Sequence, residues 1–191
     1  MKRRLFLTGP IGCGKSTAIA CALGERISQC SGFLTRRYRE PYLHFTLESP
    51  DKSNVATFLV FSNGQPQLSL SPFSTLGKEL LQPRKDDAGI VPYILDEIGG
   101  IELLHPDFTA SLEEVLKCDV PIIGVLKGKG PASALINTLG LTEEYERAAS
   151  RLRQQLCADP DTLVYKCGQF DENALRLAEL WAEEYLHEEL F

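Results

Sequence analysis

Short apolar runs alternate with helix-like segments along most of this 191-residue chain. The first run, Arg4–Thr8, ends in glycines, and small and apolar residues recur at helical spacing in the STAIACALGERI segment that follows. This order predicts a strand, a turn and a helix. Residues 91–95, 120–126 and 162–167 are further apolar runs of strand length, and we expect each to be a strand of the core.

Helical patterns separate these later strands. We expect one helix to run from an Asp107 cap to about Lys117, and two more near residues 132–139 and 142–157. A last helix is expected after Asp171, which can cap it, because apolar residues then recur along one stripe. Strands that alternate with helices predict an α/β fold with a largely parallel sheet flanked by helices.

Residues 32–70 depart from this pattern, because apolar and polar positions alternate there with a period of two. Asn63-Gly64 follows the apolar run 55–61 and is a strong hairpin-turn signal. We interpret the segment as an antiparallel β-hairpin insert within one domain spanning residues 1–191, since a domain usually takes roughly 100–200 residues. A short helix and a polar loop, QPRKDDAG, are expected to follow the insert.

Composition and charge narrow the function classes. Apolar residues make up 43% and charged residues 24% of the chain, which is ordinary for a folded globular protein. Lys and Arg number 20 against 26 Asp and Glu, so the net charge of −6 has the wrong sign for general nucleic-acid binding. We therefore expect no general nucleic-acid partner.

Cysteine spacing and hydropathy argue against further classes. The six cysteines contain no CxxC pair and the three histidines form no close cluster, which argues against a disulfide framework and a zinc site. No window approaches ~18 uninterrupted apolar residues, and the apolar stretch after MKRR is too short for a signal peptide. We expect a soluble, cytoplasmic protein with no membrane partner.

The segment between the first strand and the first helix, GPIGCGKST, matches the phosphate-loop pattern GxxxxGK[ST] in the required position. Its glycines allow backbone amides to surround the β- and γ-phosphates of a nucleotide, and Lys15 adds positive charge to the same oxygens. Ser16 can bind Mg²⁺, and Thr17 can bond a more distal phosphate or cap the helix. A plain glycine turn is the alternative, although such a turn needs one glycine and not three. The nucleotide-binding residues expected here are Gly9, Pro10, Ile11, Gly12, Cys13, Gly14, Lys15, Ser16 and Thr17.

An acidic pair, Asp96-Glu97, follows VPYIL at the carboxyl end of a predicted parallel strand. A carboxylate there can hold the shell of Mg²⁺, the predicted cofactor, and we assign that role to Asp96 together with Ser16. Glu97 is then placed to orient or deprotonate a water molecule that attacks the γ-phosphate, so Lys15 and Glu97 are the expected catalytic residues. Both acidic residues join the predicted nucleotide site. An ordinary acidic strand end is the alternative.

Three segments together resemble one protein family: GPIGCGKST, GFLTRRYRE at residues 32–40 and LDEIGGIELL at residues 95–104. In this order they are similar to the small P-loop nucleoside triphosphatases, over residues 4–130. The resemblance implies a RecA-like α/β fold with a β-hairpin insert and Mg²⁺-dependent hydrolysis of ATP, GTP and other nucleoside triphosphates. It also implies nucleotide contacts at residues 9–17 and around residues 93–100, with catalysis aided by Glu97.

Five basic residues outside the loop are candidates for assisting catalysis. Arg36 and Arg37 could bring positive charge to the phosphates, although in a period-two hairpin at least one arginine of this segment must face solvent. Lys127 follows a predicted core strand and could face the γ-phosphate or lie in a solvated loop. Arg147 and Arg151 stand four residues apart on a predicted helix, where an arginine finger and ordinary helix ion pairs are both open.

The predicted function is hydrolysis of the β,γ bond of ATP, GTP or another nucleoside triphosphate to a diphosphate and phosphate. Two alternatives remain open at this point: a small P-loop kinase that phosphorylates a metabolite or nucleotide, and a slow nucleotide-gated switch that recruits a protein partner of unknown identity. The acidic pair argues against the kinase, because a kinase avoids the activation of water.

Overall fold

An eight-stranded sheet forms the centre of the computed structural model, which describes residues 1–86, 89–128, 139, 143–169 and 171–186. The strands, in chain order, are β1 (Arg4–Thr8), β2 (Ser31–Tyr38), β3 (His44–Glu48), β4 (Val55–Ser62), β5 (Gln65–Leu68), β6 (Lys85–Asp86), β7 (Gly89–Ile90), β8 (Tyr93–Ile98), β9 (Ile122–Leu126) and β10 (Thr162–Lys166). The short strands β6 and β7 pair with each other within the segment predicted to be a loop, and the other eight form the central sheet.

Helices connect the strands and cover the sheet. They are α1 (Lys15–Leu23), α2 (Lys78–Leu80), α3 (Pro106–Lys117), α4 (Glu143–Ala158) and α5 (Glu172–Tyr185). Tighter or wider helical turns span Gly24–Gln29, Phe73–Gly77 and Ile101–Leu104. The helix predicted near residues 132–139 lies outside the described residues except for Leu139. None of the described helices is long and apolar enough to cross a membrane.

The sheet has a parallel part and an antiparallel part. Its strand order is β10-β1-β9-β8-β2-β3-β4-β5. The first five strands pair in parallel, and β2 to β5 pair antiparallel. Strand β2 belongs to both parts, since residues 31–33 pair with β8 and residues 34–38 pair with β3. This confirms the predicted largely parallel sheet with an antiparallel hairpin insert.

Glycines on both neighbours of β8 permit the close approach of three parallel strands. Gly32 of β2 lies opposite Ile94, and Gly124 of β9 lies opposite Leu95. A Cβ atom at Gly32 would come within 2.1 Å of the Ile94 carbonyl oxygen, and one at Gly124 within 2.2 Å of the Leu95 carbonyl oxygen. Any side chain at either glycine would therefore push a neighbouring strand away from β8, the strand that carries the acidic pair.

Two apolar layers hold the sheet from its two faces. The layer on the side of α3 contains Phe33, Phe73 and Phe108, and the Phe108 ring contacts the other two at centroid distances of 5.7 and 5.5 Å. The layer on the side of α1 and α5 contains the fully buried Trp181, whose indole nitrogen donates to the Arg3 carbonyl oxygen at 2.9 Å. Burial on both faces fixes where the carboxyl ends of the parallel strands meet.

The predicted hairpin turn and one of the two predicted helix caps are confirmed. Asn63 and Gly64 have φ angles of 51° and 76°, as a two-residue hairpin turn requires, and they join β4 to β5. Asp171 caps α5 by accepting from the Asn173 amide at 3.1 Å. The prediction that Asp107 caps a helix is wrong, because α3 begins at Pro106 and Asp107 lies in its first turn. Proline favours that first position and keeps the residue before it extended.

A partly buried ion pair closes the end of the sheet opposite the phosphate loop. Arg4 Nη1 donates to Asp159 Oδ2 at 2.5 Å, and its Nη2 donates to the Cys118 carbonyl oxygen at 2.8 Å. Partial burial opposes the ionisation of Asp159, but hydrogen bonds from the Thr162 hydroxyl and the Asp161 amide, together with Arg4, outweigh it and lower the pKa of Asp159. The pair joins β1 to the turn that enters β10.

Replacement of Asp159 by Asn should lower the free energy of unfolding at pH 7 by about 1–3 kcal/mol, because the partly buried Arg4 guanidinium loses its charged partner. The lowered pKa means that this contribution is present above the ordinary pKa of an aspartate and is lost as the pH falls through the pKa of the folded state. Urea titrations at pH 7 and at decreasing pH measure it. Asp161→Asn changes the exposed neighbour in the same turn and is the control, and equal effects from the two variants would contradict the assignment.

Candidate active site

The phosphate loop turns sharply between β1 and α1. Its glycines Gly9, Gly12 and Gly14 have φ angles of 147°, 78° and 93°, which side-chain-bearing residues rarely adopt. A Cβ at Gly9 would come within 2.6 Å of the Cys167 carbonyl oxygen, so the loop is seated directly against the end of β10. Gly14, and not Thr17, caps the amino end of α1.

The side chain of Lys15 folds back over this loop. Its ammonium donates to the Pro10 carbonyl oxygen at 2.7 Å and to the Gly9 carbonyl oxygen at 3.2 Å. The Cys13 sulfur lies 3.6 Å from the same nitrogen. These contacts hold a positive charge at the mouth of the loop, where phosphate oxygens are the stronger hydrogen-bond partners for an ammonium group.

Ser16 and Asp96 form the direct link between the phosphate loop and β8. The Ser16 hydroxyl donates to Asp96 Oδ1 at 2.8 Å, and the Thr35 hydroxyl donates to the backbone oxygen of Asp96 at 3.0 Å. Asp96 is 2% exposed, and burial, together with the neighbouring charge of Glu97, raises the pKa of Asp96 to about 6. Among the described residues, its Oδ2 has no hydrogen-bond partner, and the Arg36 guanidinium is 3.9 Å from it.

The pair formed by Ser16 and Asp96 fits a magnesium ion. Magnesium takes oxygen ligands and is usually held by one or two carboxylates together with substrate phosphates and water. Ser16 and Asp96 offer only oxygen donors, and the unpartnered Oδ2 is a buried acceptor that a cation would satisfy. Within the part of the chain that the structure describes, no cluster of three His, Cys, Asp or Glu side chains could hold a metal ion. A magnesium site here would therefore share its ligands with a bound nucleotide.

Glu97 has a backbone conformation that residues other than glycine rarely adopt, with a φ of 68°. The pairing of β8 with β9 shifts register between Leu95 and Ile98, so the acidic pair lies in an irregular strand end. Asp96 is buried, whereas 37% of the Glu97 side chain is exposed and lines the cavity beside the phosphate loop. Such a conformation costs about 1–3 kcal/mol and is found preferentially at functional sites.

A cavity of about 320 Å³ brings most of the predicted site residues together. The predicted residues that line it are Gly9, Ile11, Gly12, Gly14, Lys15, Ser16, Thr17 and Glu97. Pro10, Cys13 and Asp96 are not among its lining residues: Pro10 is exposed, Cys13 is buried in the loop, and Asp96 lies behind Ser16. Tyr93 is buried at the opposite end of β8 from the cavity.

The basic candidates separate into three groups. Arg37 and Lys127 line the cavity, and the Lys127 ammonium lies 3.4 Å from Glu97 Oε2. Arg36 is directed at the buried Asp96. Arg147 and Arg151 lie exposed on α4 and are not among the cavity-lining residues.

Sequence reasoning missed several residues of this site. Thr35 and Phe45 line the cavity from the antiparallel insert, and the Arg37 guanidinium lies 5.8 Å from the centre of the Phe45 ring. Glu102 and Tyr145 are buried close to Lys127. The alternation in the insert showed that one face of β2 and β3 would be covered, but no pattern in the sequence indicated that the face would meet the phosphate loop.

Comparison with protein families decides the assignment. A family model described as NTPase matches residues 4–149, which is most of the chain. The chain belongs to this NTPase family. The match confirms the resemblance found in the sequence and the prediction of an NTPase enzyme.

Relatives of this NTPase chain carry the same description. Nucleoside-triphosphatase THEP1 of Methanocaldococcus jannaschii is 27% identical over 135 residues, which cover 64% of this chain and 77% of the relative. Nucleoside-triphosphatase THEP1 of Thermococcus kodakarensis is 28% identical over 150 residues, which cover 68% and 78%.

Two solved structures share the fold. The crystal structure of THEP1 from the hyperthermophile Aquifex aeolicus aligns with a TM-score of 0.62 at 16% identity, covering 96% of this chain and 99% of that one. The solution structure of a human cancer-related nucleoside triphosphatase aligns with a TM-score of 0.63 at 23% identity, covering 92% and 93%. The likeness confirms the predicted P-loop NTPase fold class.

Substitution of Gly9 by Ala should weaken nucleotide binding about tenfold or more, because the Cys167 carbonyl oxygen leaves no space for a methyl group and the loop must shift. Titration with a fluorescent, non-hydrolysable nucleoside triphosphate analogue measures the loss. Gly64→Ala is the matched control, since Gly64 also has a positive φ but lies in the distant β4–β5 turn, where a Cβ atom would meet no described atom within 4 Å. If both variants lose the same affinity, or if neither loses any, the close contact between Gly9 and the Cys167 carbonyl oxygen does not determine nucleotide binding.

Proposed function

We propose that this chain is a Mg²⁺-dependent nucleoside triphosphatase that cleaves the β,γ bond of ATP, GTP or another nucleoside triphosphate with water. The observation that carries the proposal is that three functional features meet at one cavity, two of them in its wall and Asp96 directly behind Ser16. The phosphate loop provides the anion site, the Ser16–Asp96 hydrogen bond provides paired oxygen ligands, and Glu97 provides a carboxylate at the cavity wall. The names of the curated relatives support the same reaction class.

Nucleotide binding is assigned to the phosphate loop. The amino end of α1 and the amides of the glycine-rich loop favour negative charge, and Lys15 is already held above them. On binding, phosphate oxygens replace the backbone carbonyls as partners of the ammonium. The charge that develops between the β- and γ-phosphates during cleavage then lies next to a fixed cation.

Metal binding is assigned to Ser16 and Asp96. When bound there, Mg²⁺ supplies charge neutralisation for the phosphate oxygens. The protein's own contribution is to keep the Asp96 carboxylate buried and oriented by the Ser16 hydroxyl, while the Thr35 hydroxyl holds the Asp96 backbone oxygen. This arrangement leaves the second carboxylate oxygen available without a rearrangement of β8.

Water activation is assigned to Glu97. The oxygen of a water molecule forms the new bond to the γ-phosphorus, the bond to the β,γ-bridging oxygen breaks, and the carboxylate of Glu97 accepts the proton of the attacking water. The products are a nucleoside diphosphate and phosphate. A carboxylate that faces the cavity, beside the phosphate loop, favours this reaction over transfer to a second substrate, because a kinase must keep water from attacking the same phosphorus.

Replacement of Glu97 by Gln should lower turnover about 10²- to 10⁴-fold while nucleotide affinity is retained, because the amide preserves the shape but accepts no proton. Lys15→Ala should lose affinity as well as turnover. Phosphate release is measured with ATP, GTP, CTP and UTP, and affinity is measured with non-hydrolysable analogues. Glu114→Gln, an exposed position on α3, is the control.

Three outcomes separate the candidate functions. Release of free phosphate that Glu97→Gln abolishes supports the hydrolase. Nucleotide binding without phosphate release, but with phosphorylation of an added acceptor, would replace it with a kinase. Wild-type turnover that survives Glu97→Gln unchanged would remove Glu97 from the reaction.

Substitution of Asp96 by Asn should raise the Mg²⁺ concentration needed for half-maximal turnover by about tenfold or more, because the Ser16–Asp96 pair loses the negative charge that attracts the cation. Affinity for the nucleotide in excess chelator should stay unchanged. A Mg²⁺ titration of turnover provides the measurement, and Asp107→Asn, exposed on α3, is the control. An unaltered Mg²⁺ dependence in the Asp96 variant would exclude Asp96 as a ligand.

A further inference from the structure

A charged cluster surrounds Glu97 and reaches the cavity wall at Lys127. Its centre is the Lys127 ammonium, 3.4 Å from Glu97 Oε2. Glu102, which is 3% exposed, and the buried Tyr145 complete the cluster. The four side chains come from the end of β8, the turn after it, the end of β9 and helix α4.

The backbone of Lys127 is fixed on both sides. Its amide donates to the Ile98 carbonyl oxygen at 2.8 Å, which continues the pairing of β9 with β8. Its carbonyl oxygen accepts from Arg153 Nη1 of α4 at 2.7 Å. These two hydrogen bonds fix the backbone position from which the Lys127 side chain extends, and only 20% of that side chain is exposed.

Gly100 lies between the Lys127 ammonium and the Glu102 carboxylate. The Gly100 amide donates to Glu102 Oε1 at 2.7 Å. A Cβ atom at Gly100 would lie 2.7 Å from Glu102 Oε2 and 2.7 Å from Lys127 Nζ. The ammonium and the carboxylate thus face each other across a glycine that has no side chain to separate them.

The charges in this cluster favour an immobile lysine. Burial lowers the pKa of Lys127, but the carboxylates of Glu97 and Glu102 outweigh it, and the pKa is raised, so the side chain is a cation. Burial raises the pKa of Glu102, and the nearby Lys127 and the Gly100 amide offset this rise only in part. If Lys127 moved toward a bound phosphate, it would leave the buried Glu102 without its cation, which is costly.

We propose that Lys127 is a positioning residue that holds the Glu97 carboxylate on the cavity wall, with Glu102 anchoring its ammonium through the gap at Gly100. The inference rests on the proposed function of Glu97. A glutamate has several rotatable bonds and a partly exposed side chain, so its orientation toward water needs a fixed partner. Lys127, paired with Glu97 at 3.4 Å, supplies that partner.

Kinetics of Lys127→Met, Lys127→Arg and wild type test the proposal. We expect Lys127→Met to lower kcat about 100-fold through misplacement of Glu97, with KM and the affinities for a non-hydrolysable triphosphate analogue and for the diphosphate unchanged. Lys127→Arg should recover most of kcat, because a cation returns between the carboxylates. Lys117→Met is the control, since Lys117 pairs with Glu113 at 3.8 Å on the exposed face of α3.

Three kinetic results would overturn the proposal. A selective loss of triphosphate affinity in Lys127→Met, with diphosphate affinity retained, would make Lys127 a phosphate ligand. An unchanged kcat, or an equal loss in the Met and Arg variants that parallels a fall in thermal stability, would leave Lys127 with a structural role alone.

A nucleotide-free measurement separates this inference from the proposed reaction. The ¹⁵Nζ signal of Lys127, assigned by its absence from the Lys127→Met spectrum, should shift in Glu97→Gln, in Glu102→Gln and in Gly100→Ala, and should not shift in Glu114→Gln. These shifts would support the cluster even in a chain that released no phosphate. A Lys127 signal that is unaffected by Glu97→Gln would overturn the positioning role, whatever the activity of the wild type.

Discussion

The hydrogen bond from Ser16 to Asp96 is the contact on which the candidate site depends. It joins Ser16 in the first turn of α1 to Asp96 of β8, and these residues are 80 positions apart in the chain. Helix α1 follows β1, and β9 lies between β1 and β8 in the sheet. Without it, the phosphate loop and the acidic pair would be two separate features. The bond can form because the parallel strands approach closely and are held by apolar layers on both faces. The fold thus brings an anion site and a carboxylate together before any ligand is bound.

Several locally unfavourable features are collected around this contact. Asp96 is buried with one oxygen unpartnered among the described residues, Glu97 has a positive φ, Glu102 is a buried acid, and the Lys127 side chain is only 20% exposed. Each would weaken an ordinary region of a protein. They persist because the surrounding strands and helices leave the chain no better arrangement, and natural proteins accept such losses at functional sites.

The sequence predicts those parts of the site that are encoded by neighbouring residues. The phosphate loop and the pair Asp96-Glu97 are local patterns with defined flanks, so their elements and their common edge of the sheet could be expected. Thr35 and Phe45 could not be placed, because their arrival at the cavity depends on how the antiparallel insert continues from β2. The cluster around Lys127 joins segments distant in the chain and has no periodic signature. The backbone conformation of Glu97 could not be predicted either, since a glutamate gives no indication of a positive φ.

The glycines beside β8 have a consequence for how this protein tolerates change. Gly32 and Gly124 are not among the residues that line the cavity, yet each faces a carbonyl oxygen of β8 at a distance that admits no further atom. In a scan of all single substitutions, these two positions should reject every replacement, alanine included, as strictly as a catalytic position would. Loss of function on substitution at these two glycines would reflect the required spacing of the strands and not a role in the reaction. A map of sensitive positions would therefore outline the support of the site as well as the site itself.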